Sequence, residues 1–455
     1  MRSKTIVAVS TPPGSGGIAV IRLSGQDALT LLSTSWKGSL PGSFKSHSAH
    51  LGWVVDSEGN DIDQVVATYY RAPNSYTGED VIEISCHGSP WIQKAIVNRF
   101  IEAGAAAAAA GEFTKRAFEN GRLDLAQAEG VADLIAASSK ASARLAATQL
   151  RGDFSRNLKS LRQKLIDIGS LLELELDFSE EDVEFADRSQ LISLAREILG
   201  VVDRLADSFK AGRAFKEGVP VAIAGVPNAG KSTLLNALVG EEKAIVSDIA
   251  GTTRDVIEDT VEFEGMLFRF YDTAGLRNSE DKVESIGIER ARQKITDAFV
   301  VLRLFDPTSD LEDQLVEFLP GKFKNDKFIN VITKEDLGNP FNGNWSEIVN
   351  AENTVVISAR TGKGLDELKK IIKESVTSDF NPDRELVVTN ARHYEALLNV
   401  KSPLERLIEG LESVISGDFL AQDLHEAEHY LGEITGEVTS TDILHNIFAR
   451  YCIGK

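Results

Sequence analysis

The chain has 455 residues, 42% of them apolar, and a formal charge of -20 that sets the pI near 4.9. So acidic a surface repels phosphate backbones, which excludes a general nucleic-acid binder and leaves RNA to a local basic patch or a basic partner. Two cysteines, Cys86 and Cys452, exclude a disulfide framework or a Cys-rich zinc site, and no run reaches the ~18 apolar residues of a membrane span.

At roughly 150 residues per domain the length predicts two to four domains. Met1 to Thr5 lead straight into the strand-like Ile6-Val7-Ala8-Val9, without the apolar stretch or cleavage site of a signal peptide, so a reducing, cytoplasmic setting is expected. Residues 1–119 read as a mixed α/β domain. Its strands run over Gly17–Leu23, Gln64–Tyr70 and Asp80–Ser85, and a helix over Pro90–Ala103 keeps Ile92, Ile96, Val97 and Phe100 on one side. Six alanines, Ala105–Ala110, stand where a varied strand or loop is expected and read as a helical or linker segment. From Leu123 to Asp177 the pattern is helical and long, with Leu158, Leu161, Leu165, Ile168, Leu172 and Leu176 on one face. Helix resumes over Ser189–Arg213 and stops at Glu217-Gly218. Residues 120–217 thus begin a helical domain, 218–376 form an α/β module opened by the strand Val219–Ala224, and 377–455 return to helix after the linker Thr377–Pro382. The expected fold class is a multidomain mixture of α/β and all-α. It comprises an N-terminal α/β domain, a discontinuous helical domain, and an inserted P-loop domain with a mostly parallel sheet.

Gly225-Val226-Pro227-Asn228-Ala229-Gly230-Lys231-Ser232 fits G-x-x-x-x-G-K-[ST] between a strand and a helix. Its glycines let backbone N–H groups face the β- and γ-phosphates, aided by the helix N-terminus that continues into Thr233. Lys231 supplies charge to those phosphates and Ser232 a hydroxyl for magnesium. Asp272-Thr273-Ala274-Gly275 follows the strand Met266–Tyr271: Asp272 suits the outer sphere of magnesium, and the Gly275 N–H can reach the γ-phosphate. Thr252-Thr253, in a polar loop, offers a hydroxyl to the same ion. After the strand Phe328–Ile332 comes Thr333-Lys334-Glu335-Asp336, where Asp336 can accept two hydrogen bonds from guanine N1–H and the 2-amino group. Ser358-Ala359-Arg360 offers a backbone N–H to the guanine oxygen. The usual base-reading pattern is N-K-x-D, so Thr333 departs from it by lacking a carboxamide. Ras-like enzymes carry a water-orienting Gln just after D-x-x-G; here that position is Leu276, and Arg254 and Arg277 are not marked as arginine fingers.

The phosphate loop, Ser247-Asp248-Ile249-Ala250-Gly251-Thr252-Thr253-Arg254-Asp255 and Gly287-Ile288-Glu289-Arg290-Ala291 match one bacterial family. So do Thr11-Pro12-Pro13-Gly14, Asn74-Ser75-Tyr76-Thr77-Gly78-Glu79-Asp80, Gly111-Glu112-Phe113-Thr114-Lys115-Arg116-Ala117-Phe118 and the terminal Cys452-Ile453-Gly454-Lys455. Over nearly its whole length the chain resembles the MnmE (TrmE) family of tRNA wobble-uridine modification GTPases. The resemblance implies potassium-stimulated hydrolysis of GTP by a homodimer, with a potassium ion taking the place of an arginine finger. Asn228, Ser247, Ile249 and Thr252 match the potassium positions, Ser232 and Thr253 those of magnesium, and Lys231 with Asn228 the catalytic loop. Glu284 matches the residue that orients and polarises water, although by itself it is one acid in the acidic run 280–284.

The N-terminal domain resembles one that binds a formyl-tetrahydrofolate derivative, with Arg22, Glu83, Arg122 and Lys455 at matching positions. A lysine is common where this chain has Arg122, which keeps the charge and changes the geometry. Taken alone, Arg22 and Glu83 read as ordinary strand charges, Cys452 as either a structural or a reactive thiol, and Cys86-His87-Gly88 as a loop at a strand end. The implied reaction adds an aminomethyl or carboxymethylaminomethyl group at carbon 5 of the wobble uridine, with an FAD-dependent MnmG (GidA) type partner. The alternative is a GTP-controlled ribosome-assembly switch of the Era type, a class that usually carries a basic RNA-binding appendage. A folate enzyme acting alone is a third reading, for which no motif supplies complete chemistry.

Overall fold

The computed structural model describes residues 4–177, 188–241, 258–272, 298–317, 327–337, 345, 348, 351–378, 386–413, 415–439, 441–449, 451 and 454. The chain forms two compact units: Met1–Ala132 with Leu150–Lys159 and Leu431–Lys455, and Asp133–Gln149 with Ser160–Tyr430. Among the described residues no helix is long and apolar enough to cross a membrane.

The first unit is built on a seven-stranded sheet. In chain order its strands are β1 (Ile6–Val9), β2 (Gly16–Ser24), β3 (Trp36–Gly38), β4 (Ser48–Val55), β5 (Asp61–Tyr70), β6 (Val81–Gly88) and β7 (Ala106–Ala107), arranged β3-β4-β5-β6-β2-β1-β7. Alternation along each strand sends one set of side chains to the core and the next to the other face. Val65, Ala67, Ile84, Cys86, Ile21, Leu23 and Val7 pack with Leu32 of the helix Ala28–Ser33 and with Ile96 and Phe100 of the helix Pro90–Glu102. On the opposite face Leu51 stands beside Val66, and Ile18 beside His87, with Leu51, Val66, Ile18 and Trp53 exposed.

The alanine run corrects an expectation. Ala106–Ala107 is a short edge strand parallel to Ile6–Val7, held by Ala106 N–H to Thr5 O (2.9 Å) and Ala108 N–H to Val7 O (3.0 Å). Alanine favours helix by itself; here the open edge of β1 offers backbone partners, and that tertiary pairing overrides propensity.

The stretch from Leu123 to Asp177 is three helices rather than one: Leu125–Ala136, Lys140–Leu150 and Asp153–Asp177. Ser139 and Ser142 make the first break. The Ser139 hydroxyl accepts from Ser142 N–H (3.2 Å) and the Ser142 hydroxyl accepts from Ser139 N–H (3.0 Å), a reciprocal cap that starts a new helix. Gly152, at φ 81°, makes the second. The helices Arg188–Asp207 and Ala391–Glu412, from either side of the α/β module, meet as expected of a discontinuous domain. Lys401 Nζ lies 2.9 Å from Asp203, Arg196 pairs with Glu412, and Phe209 stacks on Tyr394 with centroids 4.4 Å apart.

The α/β module has a six-stranded sheet of β8 (Val219–Gly225), β9 (Glu258–Phe263), β10 (Met266–Asp272), β11 (Val300–Phe305), β12 (Phe328–Ile332) and β13 (Thr354–Val356), in the order β13-β12-β11-β8-β10-β9. Every pairing is parallel except the β9–β10 hairpin, which turns at Glu264 and Gly265, both with positive φ. Strand β8 is buried along almost its whole length, as a central parallel strand covered on both faces must be. Phe263 stacks on Phe268 at 4.0 Å, and Phe268 and Phe270 are fully buried against Val219, Val221 and Ile223. Replacing Phe268 by Ala is expected to cost about 3–5 kcal/mol. In calorimetry of the full chain it should lower the unfolding transition of this module; an unshifted transition would mean that the aromatic layer does not hold the sheet.

Candidate functional site

Strand β8 lies between two parallel neighbours, β10 and β11, whose connections leave in opposite directions, so a crevice opens at their carboxyl ends. The phosphate loop occupies that place. It leaves β8 at Gly225 and enters the helix Lys231–Glu241. In between, Asn228 takes φ 62° and Gly230 φ 94°, left-handed conformations that reverse the loop tightly, with Ala229 N–H donating to Val226 O at 3.2 Å. Lys231 is buried, and its ammonium donates to Gly225 O (2.7 Å) and Val226 O (2.9 Å), spanning the loop it belongs to. Ser232, Thr233 and Asn228 lie on the exposed side, and Ala229 is buried. Among the described residues nothing engages the Asn228 carboxamide, which leaves its oxygen available to a cation.

The residues expected to read the base stand at the ends of the neighbouring strands. Thr333 follows β12; its hydroxyl lies 2.9 Å from Ala229 O of the phosphate loop and 3.1 Å from Phe305 O. Lys334 turns through φ 58° and its ammonium reaches Asp306 at 2.5 Å. Burial works to raise the Asp306 carboxyl, yet donation from Lys334 and Thr308 outweighs it and holds the group below the usual carboxylate range. Asp336 is exposed, and its Oδ1 accepts from the buried Ser358 hydroxyl at 2.7 Å, so the two expected base-contacting segments are joined. Ala359 and Arg360 follow at the rim. Asp306 was not singled out in the sequence, although it ends the apolar strand Val300–Phe305 as Asp272 ends its own.

Strand β10 brings the Asp272 backbone beside Ile223; its side chain lies outside the described residues. So do Ser247, Asp248, Ile249, Ala250, Gly251, Thr252, Thr253, Thr273, Ala274, Gly275 and Glu284, together with Cys452 and Lys455.

In the first unit, Arg22 of β2 faces Glu83 of β6 across the sheet, with Nη2 2.7 Å and Nε 3.0 Å from Glu83 Oε1. Arg22 also lies over the rings of Tyr76 (5.0 Å) and Phe113 (5.6 Å). Its Nη1 is buried and has no hydrogen-bond partner among the described residues. A buried guanidinium nitrogen left with an unmatched N–H is costly, and an acceptor on a bound molecule would remove that cost. Arg122 lays its stem against Gly78. The loop 74–80 is fixed by buried Arg116, which reaches Glu79 at 3.0 Å, by Tyr76 to Thr114 at 2.8 Å and by Thr77 to Ser24 at 2.7 Å. Tyr76, whose ring lies under Arg22, was not singled out in the sequence, although it stands inside a quoted motif.

Comparison with known proteins covers both units. The family model described as the MnmE helical domain matches residues 125–452, and that described as the GTP-binding protein TrmE N-terminus matches residues 5–122. The chain is 47% identical to the tRNA modification GTPase MnmE of Cytophaga hutchinsonii over 99% of this chain and 98% of that protein. It is 47% identical to that of Bacteroides fragilis over 100% of both. Among solved structures, the G domain of the T. maritima FeoB iron transporter matches at 29% identity, over 35% of this chain and 99% of that one, with a TM-score of 0.27, too low to bear on the fold.

Cys86 and His87 belong to β6 and not to a loop. Alternation along the strand buries the thiol and exposes the imidazole. His87 Nδ1 meets Asp63 at 2.7 Å. Burial, with the Asp63 charge adding to it, pushes the Cys86 thiol up to about 11. At pH 8 Cys86 should therefore stay almost wholly protonated and resist iodoacetamide in the native protein, becoming labelled as pH rises towards 11 or on unfolding. Peptide mapping by mass spectrometry reads this out; rapid native labelling at pH 8 would contradict the buried, neutral assignment.

Proposed function

The chain belongs to the MnmE family of tRNA modification GTPases, and we propose that it hydrolyses GTP with stimulation by potassium to drive a conformational cycle in wobble-uridine modification. The observation that carries this reading is the phosphate loop at the switch point of the parallel sheet, with Lys231 buried inside it and the Thr333–Asp336 segment beside it. In this reading the loop amides and Lys231 hold the β- and γ-phosphates, and Asp336 accepts from guanine N1–H and the 2-amino group. Adenine lacks that donor pair, so the contact selects guanine. Ser358, Ala359 and Arg360 supply the N–H that meets the guanine oxygen.

Ser232 and Thr253 would hold magnesium, with Asp272 behind it. Asn228, Ser247, Ile249 and Thr252 would hold potassium. These hard cations prefer oxygen ligands and, when bound, add positive charge where negative charge spreads over the phosphoryl group. The Asn228 carboxamide, unengaged among the described residues and carried on a left-handed loop residue, suits that role. Glu284 would orient the attacking water.

The Arg22–Glu83 pair, with one unmatched guanidinium nitrogen, supports a site for a formyl-tetrahydrofolate type one-carbon donor. A carboxylate can accept from pterin donors, and cations such as Arg122 and Lys455 suit the glutamate tail. The exposed apolar sheet face with Leu51, Val66, Ile18 and Trp53 fits a chain that works as a homodimer. An FAD-dependent partner of the MnmG type and tRNA complete the proposed cytoplasmic reaction, which places an aminomethyl or carboxymethylaminomethyl group on carbon 5.

Hydrolysis in potassium should exceed hydrolysis in sodium strongly, and Asn228→Ala should abolish that difference while retaining nucleotide binding. Equal rates in the two salts would remove the cation role. Asp336→Asn should move preference from GTP towards xanthosine triphosphate; an unaltered preference would place base recognition elsewhere. Cells lacking the protein should accumulate wobble uridines without the carbon-5 group, as nucleoside mass spectrometry would show, and normal modification there would overturn the proposal.

A further inference from the structure

Arg22 is held to Glu83 at a single point. Its Nε and Nη2 lie 3.0 and 2.7 Å from the same oxygen, Oε1, so the guanidinium can pivot about that oxygen as a two-oxygen pair would not allow. The pivot is limited by the aromatic surface beside it, the rings of Tyr76 and Phe113 at 5.0 and 5.6 Å from Cζ. The aim of the buried Nη1, which meets no acceptor among the described residues, therefore depends on where those two rings stand.

Both rings are carried by segments outside the sheet. Phe113 lies on the helix Glu112–Glu119, and Tyr76 belongs to the loop 74–80, which its phenol joins to Thr114 of that helix at 2.8 Å. Arg116, further along the same helix and buried, fastens both segments to β2, the strand that bears Arg22. Its Nη1 lies 3.0 Å from Glu79 in the loop and 3.4 Å from Ser24 O at the end of β2. Its Nη2 donates to Lys4 O at 2.9 Å and to Glu112 at 2.8 Å. One cation thus stands between two carboxylates, one from the loop and one from the helix. Without it Glu79 and Glu112 would repel each other, pushing the loop of Tyr76 away from the helix of Phe113. The Ser24 hydroxyl, 2.7 Å from Glu79, supplies a hydrogen bond there but no charge.

We infer that Arg116 is a positioning residue that aims Nη1 of Arg22 at its ligand, by fixing the two rings that limit the pivot of the guanidinium. The inference rests on the proposed folate site and adds to it a residue that acts only through Arg22. A hydrogen bond weakens steeply once its angle falls below ~120°, so a modest pivot is enough to lose it.

The test titrates the full chain with 5-formyltetrahydrofolate in a calorimeter. Arg116→Gln should weaken binding about tenfold, the worth of one hydrogen bond to a charged group. In an Arg22→Lys background, which keeps the charge and removes Nη1, the same change should cost less than about twofold. A merely structural role for Arg116 gives equal losses in both backgrounds, and that result would overturn the inference, as would unaltered affinity in Arg116→Gln. Should Arg116→Gln fail to fold, Glu79→Gln and Tyr76→Leu disturb the same arrangement from the loop side; read in the same two backgrounds, they are decided by the same outcomes. If the unaltered chain takes up no 5-formyltetrahydrofolate, the folate reading itself falls, and this inference with it.

Discussion

The nucleotide end of this protein depends on one constraint: the backbone between Gly225 and Lys231 must reverse tightly at the carboxyl end of a buried strand. Neither an ideal strand nor an ideal helix does this. The chain manages it by placing Asn228 and Gly230 in left-handed conformations and by burying the Lys231 ammonium against two carbonyls of the same loop. A buried cation without acceptors would be severely penalised, so the lysine and the loop shape stabilise each other. What surrounds the loop serves the same end. The parallel neighbours β10 and β11 fix the crevice, and the aromatic layer of Phe263, Phe268 and Phe270 keeps β8 from shifting.

The first unit solves a different problem with related means. Its sheet has one face packed on two helices, and on the opposite face Arg22 and Glu83 pair across adjacent strands. Around them the 74–80 loop is held by buried polar contacts from Arg116, Thr114 and Ser24. Such networks specify one arrangement when their members are satisfied, which makes the single unmatched nitrogen of Arg22 informative. It marks a place in this unit where an outside acceptor would remove a cost.

Much was legible in the residues alone. The strands Val219–Gly225 and Phe328–Ile332 and the helix from Pro90 were evident because central parallel strands and amphipathic helices carry strong apolar periods. The phosphate loop was evident because few sequences other than G-x-x-x-x-G-K-[ST] supply its backbone geometry. The break points in the Leu123–Asp177 stretch were missed, since the apolar period runs on across Ser139 and Gly152 while local hydroxyl caps and a left-handed glycine end each helix. Cys86 and His87 were placed in a loop because Gly88 and Pro90 follow closely, and a strand that runs to its terminal glycine leaves no local signal to distinguish the two.

The sequence by itself therefore determined the local pattern: a glycine-rich turn of the phosphate-loop type, the carboxylate of Asp336 at a strand end and helices flanking an inserted module, each encoded within a few neighbouring residues. Tertiary structure decided which of those residues meet. The Thr333 hydroxyl finds Ala229 across 104 positions of sequence, and Arg22 finds Glu83 across 61. The alanine run becomes a strand only because β1 has an unpaired edge. Such outcomes turn on distances between segments, and those are fixed by how sheets and helices pack, a property that no window of sequence contains.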